Sequence, residues 1–444
     1  MKKFTALLLR VSAAAMFLFF LATPLWAMAR KPPLEKSPAP VSLSLGLLDS
    51  YELAFKRSEA LAIRKEEIGR TLSSFLQASG DILGDVDFVS TNFRQDPQKN
   101  IVTSDSTNNL TFERRQRAFV ISQPLFQGFR AIGGLSSAGS LRKQKQAEWA
   151  RAKQLLFMDT YNSFYEYLRL KKDVETIEGI SNLFEDRIKN LRDWEEIGRS
   201  RPSEVASARL KLENFKAELA KSKGNLALAK NLFAFLIGMR VDPEELKDEK
   251  IPMPEDQPLN VFKLAQKRPD VEAAKYALTV ARGALIVAQS ELWPKLTLDA
   301  NLYEHREGIQ SGTSWDTLFT LRVPLGKGGT TVGKVRDALS DWREAKLTYS
   351  LAGRAAEREI TDALDQWKSA VESYNSLAKA QDAAQENFTL QSEDYKRHLV
   401  PNIEVLDAMQ TLFETKRDSN QAFYDMKKSY WQLEIAKGNC CDTF

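Results

Sequence analysis

The sequence predicts a mainly α-helical protein with a small β component, in which one helix–β-hairpin–long helix–helix unit occurs twice. Three observations support this prediction. Prolines are absent from residues 125–201, 203–242 and 325–400. A proline inside a helix costs about 3 kcal/mol, so long helices can run through these gaps. Apolar residues recur within the gaps at close to 3.5-residue spacing, and the two halves of the chain match at a constant shift.

The first 29 residues are a predicted secretory signal peptide. Residues 1–10 carry positive charge, residues 11–25 are almost wholly apolar, and Ala27-Met28-Ala29 has the small-x-small pattern of a cleavage site. A membrane anchor is the alternative, but the apolar run is short for a span of about 20 residues and contains Pro24. Export is therefore expected. Cys440 and Cys441 are adjacent near the chain end, where a loosely held tail is favoured over a redox or metal role.

Net charge gives no indication of a nucleic acid partner. The chain has 63 Lys and Arg against 59 Asp and Glu, a formal charge of +4. Three of the basic residues, Lys2, Lys3 and Arg10, lie in the predicted signal peptide. The remainder is close to neutral, so a nucleic acid partner is not expected.

A shift of 200 residues relates the two halves of the chain. Pro124-Leu125 recurs as Pro324-Leu325, and Gly238 recurs as Gly438. This register holds over the region of the longest helices, so both halves are expected to have the same architecture. The predicted segments are an N-terminal linker (30–48); a first repeat (49–238) with short helices, a β-hairpin (84–123), a long helix (132–197) and a helix (203–238); a Pro-rich equatorial linker (239–258); a second repeat (259–438) with helices (259–291), a β-hairpin (295–324), a long helix (331–397) and a helix (402–437); and a C-terminal tail (439–444).

The helices and hairpins have lengths that bear on function. A helix over 132–197 would be on the order of 100 Å long, which requires lengthwise packing against other helices. In the second hairpin, Leu296, Leu298 and Ala300 alternate with polar residues, over a run as long as a tilted transmembrane strand. Soluble hairpins have the same pattern, so the pattern leaves membrane insertion open. Four strands cannot close a barrel in lipid, so inserted strands would require two or three chains to share one barrel.

The order of elements and two motifs resemble the TolC-like outer membrane efflux family over residues 43–438. The first motif is Gln123-Pro124-Leu125-Phe126-Gln127-Gly128, at the entry to the long helix, with a degenerate copy at 323–328. The second is the helical turn-around, with Glu204-Val205 in one copy and Glu404-Val405-Leu406 in the other. The resemblance implies a homotrimer with a 12-stranded transmembrane β-barrel in the cell outer membrane, continued by an α-helical barrel through the periplasm.

The resemblance also implies the site residues. The periplasmic gate comprises Glu404, Asp407, Tyr395 and Glu204. The tips that dock on a periplasmic adaptor of an inner-membrane pump comprise Gly198, Arg199, Ser200, Arg201, Pro202, His398, Leu399, Val400 and Pro401.

Two acidic residues at the predicted gate have a physical interpretation that does not depend on the family. Glu404 and Asp407 are three residues apart and share a helix face, so threefold symmetry would repeat them as acidic rings that select or hold cations. The alternative is a solvated helix start, where acidic residues favour the positive helix end. His398 stands where the family has Gly, and it is interpreted either as a pH-sensitive element or as a surface histidine.

These features lead to three hypotheses about function. The first is a passive exit duct of a tripartite efflux or type I secretion system, in contact with outer membrane lipid; it needs no enzyme activity, cofactor or metal, and no catalytic motif is present. The second is a soluble periplasmic coiled-coil scaffold or adaptor. The third is an exported enzyme that uses Glu404 and Asp407 as a carboxylate pair.

Overall fold

The computed structural model describes residues 45–94, 113–242, 245–251, 260–307 and 311–439. The predicted signal peptide, Cys440 and Cys441 lie outside these ranges. The elements of the first half are α1 (Leu47–Arg57), α2 (Glu59–Leu83), β1 (Asp85–Arg94), β2 (Glu113–Phe126), α3 (Arg130–Glu196) and α4 (Pro202–Ile237). Those of the second half are α5 (Val261–Gln266), α6 (Pro269–Gln289), β3 (Lys295–Arg306), β4 (Trp315–Arg322), α7 (Thr330–Lys396) and α8 (Asn402–Lys437).

The two halves contain matching pairs of long helices. Helices α3 and α7 both have 67 residues, and α4 and α8 both have 36. Equivalent helices begin 200 residues apart, at Arg130 and Thr330 and at Pro202 and Asn402. At 1.5 Å per residue, α3 and α7 are each about 100 Å long. The mainly helical fold class with a small sheet, predicted from the sequence, is confirmed.

The four strands form one antiparallel sheet in the order β1-β2-β3-β4. Pairing of β2 with β3 joins the two halves of the chain. Strand β2 continues to Phe126, past residue 123 where the sequence analysis ends the hairpin. A bulge between Pro124 and Phe126 accommodates the proline, which has no N–H to donate. Strands β1 and β4 each pair on one side only, so the sheet keeps two open edges in the described part of the chain.

One face of the sheet is apolar and exposed. Phe88 and Phe119 are cross-strand neighbours with ring centroids 5.1 Å apart, and they are 53% and 46% exposed. The other face is polar, and there the Ser122 hydroxyl donates to the Asp299 carboxylate at 2.7 Å. Exposed apolar patches of this kind mark contacts with another protein or with lipid.

No helix within the described residues has an 18-residue stretch apolar enough to cross a membrane.

The described residues form three apolar clusters, and two of them follow one another along α3 with a polar layer between them. The equatorial core surrounds Phe164 and Phe233, and the tip core surrounds Phe184 and Phe413. Between them on α3 lies Asp173, which Arg417 of α8 binds with two nitrogens and Ser222 of α4 binds at 2.9 Å. The same Arg417 contacts Glu218 of α4. This ionic layer links three helices at one height.

A buried lysine ties the equatorial segment to helix α8. Lys427 is 3% exposed, contacts the Asp248 carboxylate and donates to the carbonyl of Glu249 at 2.9 Å. Leu45 and Leu246 form a parallel bridge in the same region. Residues 245–251 of the connecting segment are thereby fixed against the equatorial core.

Candidate functional site at the helical tip

The two helical turn-arounds, from α3 to α4 and from α7 to α8, have the same backbone geometry. Gly198 and His398 adopt left-handed conformations with φ of 74° and 61°. The N–H groups of Arg199 and Leu399 then donate to carbonyls five residues back, at 2.7 and 2.9 Å. This is the Schellman motif, which satisfies carbonyls at a helix C-terminus. Glycine adopts the conformation without strain, whereas the Cβ of His398 makes it costly.

Tyr395 and Glu204, two of the predicted gate residues, are in direct contact. The Tyr395 hydroxyl on α7 donates to Glu204 Oε2 on α4 at 3.1 Å, and the Ser200 hydroxyl donates to the same oxygen at 2.9 Å. The Tyr395 side chain is buried, which raises the pKa of its hydroxyl, and the hydrogen bond to Glu204 raises it further. Tyr395 is therefore a neutral donor that joins the ends of α7 and α4.

Arg187 is a tip residue that the sequence analysis missed. It lies on α3, and its Nε and Nη2 atoms donate to Asn402 Oδ1 at 3.0 and 2.7 Å. Its guanidinium carbon is 4.0 Å from the centroid of the Tyr395 ring, and Trp194 stacks on Tyr395 with centroids 5.3 Å apart. Burial lowers the pKa of Arg187, but an arginine stays charged in proteins. Arg187 thus links α3 to both α7 and α8.

The two acidic residues of the predicted ring have different surroundings. Asp407 is exposed, and its carboxylate accepts from Lys211 of α4 at 2.8 Å. Lys211 also donates to Gln410 at 2.9 Å. Glu404 is exposed, and no side chain among the described residues bonds to it. No hydrogen bond or ion pair in that part of the chain joins Glu404 or Asp407 to the Tyr395–Glu204 pair.

The predicted docking residues lie at the surface of the two turn-arounds. Leu399 is 68% exposed, whereas Val400 is half-buried against the tip core. Ser200 is also half-buried. The exposed docking residues are Gly198, Arg199, Arg201, Pro202, His398, Leu399 and Pro401. In the part of the chain that the structure describes, no group of three or more His, Cys, Asp or Glu side chains could hold a metal ion.

Comparison with known proteins bears on this arrangement. The family model described as "Outer membrane efflux protein" matches residues 261–439. The outer membrane protein TolC of Vibrio cholerae is 21% identical over 418 residues, 90% of this chain and 94% of the relative. The chain is therefore similar to members of the TolC-like outer membrane efflux family. SilC of Salmonella typhimurium, described as a probable outer membrane lipoprotein, is 24% identical over 53% of the chain. The cation efflux system protein CusC of Escherichia coli K12 is 23% identical over 50% of the chain.

Two solved structures of outer membrane proteins have the same fold as this chain. The outer membrane protein VceC of Vibrio cholerae has a TM-score of 0.78 at 18% identity, covering 88% of this chain and 96% of VceC. The CmeC outer membrane channel of Campylobacter jejuni has a TM-score of 0.78 at 16% identity, covering 89% and 87%. The matched region spans about half the length of SilC and CusC, in contrast to TolC.

Proposed function

We propose that this chain is the outer membrane exit duct of a tripartite efflux or type I secretion system. It works as a homotrimer that conducts substrates passively from an inner-membrane transporter, across the periplasm and the outer membrane. The proposed function includes no chemical step. A periplasmic adaptor protein and an inner-membrane pump are the proposed partners.

One structural observation carries the proposal. A four-stranded sheet with an exposed apolar face and two open edges is joined to helices about 100 Å long. Open sheet edges do not occur in lipid, so the edges must pair with other copies. Three copies give 12 strands, which is enough to enclose a channel. The polar sheet face then lines the channel, and the apolar face contacts outer membrane lipid.

The gate assignment is part of the same proposal. The Tyr395–Glu204 hydrogen bond and the contacts of Arg187 hold the helix ends together at the periplasmic tip. Glu404 and Asp407 are the proposed acidic rings in the pore, with Lys211 offsetting part of the charge of Asp407. The exposed turn-around residues are the proposed docking surface for the adaptor.

Membrane extraction tests the assembly. We expect the protein to require detergent for release from membranes and to have the mass of a trimer in light scattering. A monomer in the soluble periplasmic fraction would favour the alternative, a periplasmic scaffold or adaptor.

Planar-bilayer recording tests the acidic ring. Glu404→Gln removes the carboxylate that has no side-chain partner, so we expect higher conductance or weaker block by divalent cations. Asp193→Asn removes an exposed charge from α3, five residues before Gly198, and serves as the matched control. Equal behaviour of the two variants would remove Glu404 from the pore.

A further inference from the structure

The outermost layer of the tip is cationic. The two connections, residues 196–203 and 396–403, contain four Lys or Arg and one acidic residue, Glu196. All four side chains are exposed, and none forms an ion pair in the described part of the chain. These residues, called here the tip cations, are Arg199, Arg201, Lys396 and Arg397.

The acidic side chains nearest to the tip do not neutralise this layer. Glu204 accepts from Ser200 and Tyr395, and Asp407 accepts from Lys211. Glu196 lies in the first connection and Glu404 directly follows the second, and within the described residues neither is bonded to a tip cation. The tip cations are therefore exposed and unpaired in the described part of the chain.

The same two connections expose apolar side chains. Ile197, Leu399 and Ile403 are 63%, 68% and 50% exposed. The two Schellman turns fix the backbone from which these residues project. Arginine combined with exposed apolar groups on a fixed surface is typical of protein interfaces.

Compensation of helix dipoles does not account for all four cations. Lys396 is in the last turn of α7 and Arg397 is its C-cap, where positive charge is favourable. Arg199 lies two residues past Ile197, the C-cap of α3, where positive charge is also favourable, but Arg201 is the N-cap of α4. A helix N-terminus is positive, so cations there are unfavourable unless another requirement retains them.

We infer that the partner that docks on this tip is a protein with an acidic surface turn. The inference rests on the proposed function, since a trimer repeats the four tip cations as a ring of twelve. Carboxylates of the partner pair with the arginines in a charge-assisted geometry, and its apolar residues cover Ile197 and Leu399. An anionic membrane surface is the competing ligand. Each protomer exposes three large apolar side chains in the two connections, Ile197, Leu399 and Ile403. Their small number and their rigid turns favour a protein partner over a membrane.

Binding of defined probes to the detergent-solubilised protein tests the inference. The probes are disulfide-closed two-helix peptides that are identical except for glutamates, glutamines or lysines at the turn, and fluorescence anisotropy measures their affinity at two salt concentrations. The glutamate probe should bind about 10- to 30-fold more tightly than the glutamine probe, and high salt should reduce the difference. Replacing all four tip cations with Gln should abolish this preference.

Two further variants make the result specific. Reversing charge with Arg199→Glu, Arg201→Glu, Lys396→Glu and Arg397→Glu should transfer the preference to the lysine probe. Lys189→Gln with Arg192→Gln removes exposed cations from α3 behind the tip and should change nothing. Equal binding of the three probes would overturn the inference, as would binding only to phosphatidylglycerol vesicles. Channel recordings on the same preparations separate this outcome from failure of the proposed duct: conducting channels without a charge preference reject the acidic partner alone.

Discussion

Replacing Arg187 with Met should loosen the tip, because it removes the contacts of the guanidinium with Asn402 and Tyr395. The variant leaves Asn402 Oδ1, which belongs to a 2% exposed residue, without two donors at 3.0 and 2.7 Å. An unsatisfied buried acceptor costs about 1–3 kcal/mol. The cation 4.0 Å from the Tyr395 ring adds about 1 kcal/mol. Because Arg187 is partly exposed, we take about 2–3 kcal/mol as the total, or roughly a 30- to 150-fold change in a local opening equilibrium.

Hydrogen–deuterium exchange of the detergent-solubilised protein measures this change directly. Amides of the first turns of α8 should lose protection by the stated factor in Arg187→Met. Arg192→Met, an exposed arginine on the same helix, is the control and should leave exchange unchanged. Adding Asn402→Leu should restore part of the protection, because it removes the orphaned acceptor. If the Arg187 and Arg192 variants exchange alike, the contacts of Arg187 do not hold the tip.

Three further changes have expected outcomes in thermal unfolding. His398→Gly relieves a left-handed conformation and should stabilise by about 0.5–1 kcal/mol; a lower unfolding temperature would contradict this reasoning. Arg417→Met leaves Asp173 with an uncompensated, largely buried charge and should destabilise by about 2–4 kcal/mol; no recovery on adding Asp173→Asn would refute that cause. Hydrogen bonding from Arg169 helps to hold the pKa of Glu166 at about 2, below its ordinary 4.5. This stabilisation is complete above pH 4.5 and is lost as the pH falls through about 2, so Glu166→Gln should lower the unfolding temperature at pH 7 but not near pH 2. A deficit independent of pH would argue against the ionic contribution.

The fold class could be predicted from the sequence because its signals are periodic and repeated. The proline-free gaps and the 200-residue shift indicate two pairs of long helices, as the equal lengths of α3 and α7 show. The end of β2 was harder to predict from the sequence, because a proline such as Pro124 usually marks the end of a strand. A bulge lets the strand continue to Phe126, and this depends on pairing with β3, about 170 residues away in the chain.

The tip site could be predicted only in part. Tyr395 and Glu204 came from the resemblance to the family, and the structure brings them into contact. Arg187 and Lys211 gave no local signal, because charged residues on a long helix are usually solvated. Their partners, Asn402 and Asp407, are 215 and 196 residues away in the chain. Such contacts depend on how the helices are aligned, which a single helix pattern does not specify.

Conductance of the purified wild-type protein in a planar bilayer tests the central claim most directly. A trimer that shares one 12-stranded barrel should insert and produce discrete, cation-sensitive conductance steps, because in the proposed assembly polar strand faces and acidic side chains line a continuous path. A preparation that is folded by circular dichroism yet gives no conductance steps, in the wild type and in Glu404→Gln alike, would contradict the assignment as an exit duct.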